Sequence, residues 1–306
     1  MHAVNGATLG ITAALASALA WAVGAILFRR IGERASPTAM NLAKSLVGLV
    51  LIGAGAFAAG LSAVDGGSVI RLALSGVLGI AVGDSLFFAA LIRLEARLTL
   101  LLATVGHVFT VVAAAAILGE RPTLVVWAGI ALVIIGVGGV LQAGASAGES
   151  VGESVGSERG LGIACGVLSA AATSAGLLLA KTGVTHVGTL QGTWIRLAAG
   201  VVALAIWAAI RGHLRADLAV LRLPGFVHQI AIAVTVVMFG GFWLSLVSLK
   251  FADASIVSAL AATEPIFILP LARLWLHEKV TWPAIIGAVV AVAGVTLIVL
   301  GVGTPR

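Results

Sequence analysis

Five ionisable side chains stand inside long apolar runs of this 306-residue sequence: Lys44, Asp84, His107, Arg196 and Glu264. A charge near the centre of a bilayer costs roughly 3 kcal/mol or more on insertion scales, so each needs a partner or a purpose. Lys44 and Arg196 could hold an anionic group on a substrate, because a desolvated charge requires a counter-charge. Asn41 and Gln191 lie on the same two runs and could add hydrogen bonds, and Trp243, inside a third run, could line a cavity. Glu264, Asp84 and His107 are the candidates for carrying protons. Desolvation raises a carboxylate pKa, a nearby base lowers it, and histidine titrates near neutrality. Glu264 directly precedes Pro265, which removes a backbone hydrogen bond and can kink a helix, a break that suits substrate or proton binding.

Each reading has a structural rival. Asp84 could be paired permanently with a buried base, Glu264 could only neutralise Arg196, and His107 could bond a backbone group. Lys44 and Arg196 have stems long enough to snorkel towards an interface, and Trp21, Trp194 and Trp243 could pack in a core. Trp127, Trp207, Trp275 and Trp282 fall near run ends, as interfacial belts do.

The elements that must hold these side chains are membrane helices. Hydrophobic residues make up 60% of the chain and charged residues 10%, and the mean hydropathy is +1.17, which no water-facing surface accommodates. Charges, prolines and polar turns divide it into ten runs: 11–31, 38–60, 69–92, 98–118, 123–141, 160–181, 188–210, 226–249, 254–276 and 280–301. The 39 glycines suit close helix packing and argue against a strand-alternating barrel. The first run lacks a basic start and is followed closely by a second, so it reads as a permanent helix and not a cleaved signal.

The two halves of the sequence match. At an offset of 152 residues, Ser17-Ala18 meets Ser169-Ala170, Gly24 meets Gly176, Gly48 meets Gly200, Arg29 meets Lys181 and Lys44 meets Arg196. At an offset of 158, LGERPT (118–123) meets LHEKVT (276–281), and Gly129 and Gly136 meet Gly287 and Gly294. The expected fold is therefore all-α and integral to the membrane, with about ten transmembrane helices as two five-helix repeats. An odd number of spans per repeat makes the copies inverted, a design that lets one central site open to either side. The boundaries are 1–142, a flexible Gly/Ser/Glu linker at 143–159, and 160–306.

The paired signatures LGERPT and LHEKVT, each followed by a glycine-punctuated apolar run, resemble those of EamA-type members of the drug/metabolite transporter superfamily. ATEPIF (262–267) looks like that family's proline-bearing helix, whereas the first repeat has TVGHVF (104–109), with His107 where the proline would fall. The resemblance implies a carrier that exports or exchanges a small metabolite such as an amino acid, sugar or nucleotide-linked sugar. Glu120 and Glu278 read as structural signature residues.

The two bases favour a substrate with an anionic group, an amino acid or organic acid. The expected partners are that small molecule and the lipid bilayer, with no nucleic acid; a homodimer is compatible with the sequence. The motifs HExxH and GxxxxGK[ST] and paired Asp-rich prenyl-diphosphate motifs do not occur, so no enzymatic activity, cofactor or metal is expected. Cys165 is the single cysteine, which leaves no intramolecular disulfide. A membrane enzyme and a non-transporting assembly protein are the alternatives. Of the Lys and Arg residues outside the runs or at their ends, an N-inside model puts five in the cytoplasm and eleven outside. The positive-inside rule thus favours both termini outside the cytoplasm of an inner-membrane protein.

Overall fold

The computed structural model describes residues 2–118, 123–146, 153–183, 187–244, 247–248, 260, 263–278 and 280–302, and all regular structure among them is helical. Helix α1 (His2–Gly32) turns into α2 (Pro37–Ala58). There the Ser36 hydroxyl accepts from the Ala39 N–H at 3.1 Å and Pro37 occupies a first-turn position that needs no amide hydrogen. Helix α3 (Gly66–Ser75) starts where Asp65 accepts from the Ser68 N–H at 2.9 Å. It widens into a nine-residue π-helical segment, π1 (Gly76–Asp84), and resumes as α4 (Ser85–Arg93).

Helices α5 (Ala96–Ala103) and α6 (Val105–Leu118) divide one apolar run at Thr104. After α7 (Leu124–Ser146), α8 (Glu153–Gly183) and α9 (Thr189–Ile210) come a short helix, α10 (Leu214–Ala219), and a 3-10 turn at Val220–Arg222. Helix α11 (Phe226–Thr235) feeds a second π-helical segment, π2 (Val236–Trp243), and α12 (Glu264–Trp275) and α13 (Trp282–Val302) follow.

Six helices are long and apolar enough to cross a membrane, or seven if the bent pair Leu214–Arg222 and Phe226–Gly241 forms one span; Ala96–Phe109 and Leu124–Val140 are shorter apolar helices. Large apolar side chains such as Leu124, Ile210 and Trp282 are at least 75% exposed, an outer surface that lipid must cover. The chain is a multi-pass membrane protein. The stretch expected as a flexible linker is partly helical: α7 extends to Ser146 and α8 begins at Glu153, with 147–152 outside the described residues.

Two packing units divide the chain, and neither coincides with a sequence half. One takes residues 1–26, 94–163 and 236–306; the other takes 27–93 and 164–235. In the first, α7 lies against α13, its counterpart in the other half. A Cβ on Gly129 would come within 2.6 Å of the Gly294 carbonyl oxygen, and one on Gly136 within 2.7 Å of that of Gly287. The partner number falls as the residue number rises, so the counterparts run antiparallel, with backbones too close for any side chain at the crossing. In the second unit α2 and α9 are also counterparts and also antiparallel, through Gly53 under Trp194 and Gly55 beside Leu190.

Candidate functional site

Lys44 and Asp84 form an ion pair in the second unit. The Lys44 side chain is 8% exposed and that of Asp84 31%, so the base is enclosed and the acid is reachable. Lys44 Nζ also lies 5.5 Å from the centroid of the Phe88 ring, whose electron-rich face favours a cation.

The backbone that carries Asp84 is irregular and is held from two sides. Asn41 Nδ2 donates to the Ile80 carbonyl at 2.8 Å and to Ser85 Oγ at 2.9 Å, and Ser169 Oγ donates to the Gly83 carbonyl at 2.8 Å. Asn41 is fully buried. Asn41, a substrate-binding candidate by type and position, here commits its amide N–H groups to positioning π1.

Arg196 approaches π1 from α9. A Cβ on Gly76 would overlap the Arg196 carbonyl oxygen, and one on Gly79 would sit 3.5 Å from Arg196 Nη2, so these glycines make room for both backbone and guanidinium. Arg196 Nε is buried and has no hydrogen-bond partner among the described residues. Asp84 is the carboxylate whose charge reaches it, but Lys44 holds that carboxylate.

Gln191, the other candidate amide, bonds to Ser62 in this structure. It stands half-buried near the start of α9, where its Oε1 accepts from Ser62 N at 3.1 Å and Ser62 Oγ at 3.0 Å and its Nε2 donates to the Ser62 carbonyl at 2.8 Å. All its polar atoms clasp the loop after α2. The side chain of Trp243, the last residue of π2, lies outside the described residues.

Glu264 and His107 belong to the first unit. Glu264 opens α12, with Pro265 in the first turn, a position where its missing N–H costs nothing. The half-buried Glu264 carboxylate meets the positive end of that helix. His107 is half-buried in the first turn of α6, directly after the break at Thr104. Thr104 Oγ1 donates to the Leu101 carbonyl and Thr263 Oγ1 to that of Leu260, both at 2.6 Å. Each break is therefore capped in the same way, with or without a proline.

Sequence reasoning missed the serines. Ser17 Oγ donates to the Gly241 carbonyl in π2 at 2.8 Å, the same bond that Ser169 makes to Gly83 in π1. Ser17 and Ser169 are counterparts at the offset of 152 and Gly83 and Gly241 at 158, so the match between the halves contained this bond but not its partner.

The signature glutamate also acquires a role. Glu278 Oε1 accepts from the Ala96 N–H at 2.8 Å, capping α5 from 182 residues away, and Oε2 lies 3.9 Å from Arg97 Nε. Burial pushes the Glu278 carboxyl above the ordinary carboxylate range, and the Ala96 N–H pulls it back. His277 precedes it at φ 57°, in the left-handed region, so that the Glu278 N–H can bond the Ala272 carbonyl at 3.1 Å and close α12. Gly119 stands at the matching place in LGERPT; Gly119 and Glu120 lie outside the described residues.

A family model, the EamA-like transporter family, matches residues 8–142 and again residues 160–300. The chain belongs to this family. Sixteen chains of solved structures match it. One crystal structure superposes with a TM-score of 0.59 over 96% of this chain and 96% of its own, at 18% identity, a likeness of fold alone. No curated protein matches. For an EamA-like family member, the Lys44–Asp84–Arg196 cluster places two cations and one carboxylate on helices α2, π1 and α9, inside the packing and away from the helix ends.

Proposed function

We propose that the protein is a secondary transporter, an exporter of a small polar or amphipathic metabolite bearing an anionic group, such as an amino acid or organic acid. It works by alternating access between two inverted five-helix repeats, ten spans in all, in the inner membrane. The observation that carries this reading is the cluster itself. Lys44 and Arg196 bring two positive charges to membrane depth, Asp84 returns one negative charge, and an anionic substrate supplies the balance.

The antiparallel contact of counterpart helices supports inversion, since two copies inserted the same way would pack parallel. Loop contacts support an even number of crossings between their partners. Arg34 Nη2 donates to the Pro224 carbonyl at 3.1 Å, and Gln191 meets Ser62. On the ten-span reading six and four helices, respectively, separate these pairs.

Glu264 is the proposed proton carrier and Asp84 the second candidate. Glu264 has no hydrogen-bond partner among the described residues, so gaining or losing a proton breaks no bond there. The decisive experiment imposes a pH difference on proteoliposomes loaded with a panel of amino and organic acids. Wild type accumulates its substrate against the gradient, and Glu264→Gln retains exchange but loses accumulation. Accumulation by Glu264→Gln would remove Glu264 from the role, and indifference of wild type to the pH difference would remove proton coupling.

A second reading, an assembly protein in which buried polar groups only lock helices, draws on the Lys44–Asp84 pair, because those two satisfy each other. It predicts no saturable flux. A membrane enzyme, the remaining alternative, has no comparable observation in its favour.

A further inference from the structure

We propose that Arg196 alone receives the substrate's anionic group, as a monocarboxylate held by the guanidinium fork, and that Lys44–Asp84 is a neutral pair that keeps Arg196 free. This rests on the transporter reading and divides the work among its charged residues.

The two bases differ in what they already hold. Lys44 has a carboxylate in contact and an aromatic face beside it, and only 8% of its side chain is exposed. Drawing it onto a substrate would strand Asp84. Arg196 presents five N–H donors in one plane, and none has a hydrogen-bond partner among the described residues, including the buried Nε. A half-buried guanidinium left in that state is costly unless water or a ligand serves it. The neighbours do not compete. Gly79, beside Nη2, offers no side chain, and the nearest carboxylate is committed to Lys44.

Geometry and charge then name the ligand class. Parallel N–H groups match the two oxygens of a carboxylate, and Lys could not reproduce that fork. With Lys44 and Asp84 cancelling, Arg196 contributes one positive charge, which a monocarboxylate neutralises. A doubly charged phosphate would overshoot, and a zwitterion would leave the cluster charged. Selectivity should therefore favour monocarboxylates over phosphate and over amino acids of zero net charge.

The test uses the full-length protein in nanodiscs, with phenylglyoxal as an arginine reagent and peptide mass spectrometry to read the labelling rate at Arg196. Labelling should occur, and butyrate should slow it about tenfold at saturation while inorganic phosphate and L-alanine at equal concentration slow it far less. The double variant Lys44→Met/Asp84→Asn should keep both labelling and butyrate protection. Should that variant fail to fold, Arg196→Lys provides the second arm: butyrate should raise the thermal unfolding temperature of wild type but not of Arg196→Lys. An unreactive Arg196, equal protection by all three anions, or a butyrate shift that survives Arg196→Lys would overturn the assignment. Saturable flux without carboxylate protection of Arg196 would sink this inference and leave the transporter reading standing. Protection without any flux would do the reverse.

Discussion

The two π-helical segments, Gly76–Asp84 and Val236–Trp243, occupy corresponding places in the two halves and are held by the same bond, a serine hydroxyl on a glycine carbonyl at 2.8 Å. They differ in what they carry. The first ends in Asp84 and is pinned further by Asn41 and Lys44, whereas the second holds no ionisable residue. The two copies share the backbone device, and only the first carries a carboxylate in it. The lesson is that a π-helix here is a structural property of the repeat, and the carboxylate is a feature of one copy alone.

Breaking the charged copy should have the largest effect. Asp84→Asn leaves the enclosed Lys44 without its partner and should lower stability by about 3–5 kcal/mol, Lys44→Met leaves only the more exposed Asp84 and should cost less, and the double variant should recover most of the larger loss. Thermal unfolding in detergent reads this, and additive losses in the double variant would show that the pair is not coupled. Next comes the glycine packing that seats π1. Gly76→Ala would force a methyl into the Arg196 backbone and should cost about 1–3 kcal/mol, while Gly138→Ala, with open space around it, should be neutral or slightly stabilising. Equal effects at the two glycines would contradict the close approach of α9 to π1.

The shared bond sharpens the comparison. Ser17→Ala and Ser169→Ala should each cost about 1 kcal/mol, the price of one buried hydrogen bond, and to a similar extent. A loss confined to Ser169→Ala would mean that the second segment does not depend on its serine. The smallest expected change has the opposite sign. His277 holds a left-handed conformation where the first half has Gly119, so His277→Gly should stabilise the protein by about 0.5–1 kcal/mol, visible as a higher unfolding temperature.

Much of this was legible in residue order, and the reasons for the rest are physical. Lys44 and Asp84 announce themselves because charge in an apolar run must be resolved somehow. Gly129 and Gly136, matched to Gly287 and Gly294, identify helices able to approach closely, and α7 and α13 do so in antiparallel contact. The π segments are silent, because widening a helix by one residue per turn leaves the apolar composition unchanged. The backbone partners of Asn41 and Gln191 are silent for a related cause: a primary amide serves a backbone carbonyl as readily as a ligand, and sequence does not say which lies nearer. Glu278 was recognised as structural, yet its partner, the Ala96 N–H, is a backbone group 182 residues away that no side-chain pattern marks.

The central claim is that the polar cluster inside the membrane serves transport and does not merely lock helices together. Counterflow tests it most directly: purified full-length protein in proteoliposomes preloaded with unlabelled butyrate or amino acids, with labelled compound added outside. The account predicts saturable uptake that overshoots equilibrium in wild type and falls to the level of empty liposomes in Arg196→Gln, provided that variant remains folded by thermal unfolding. Uptake that rises linearly with concentration and matches empty liposomes for every compound, from a wild-type protein that is folded, would contradict it.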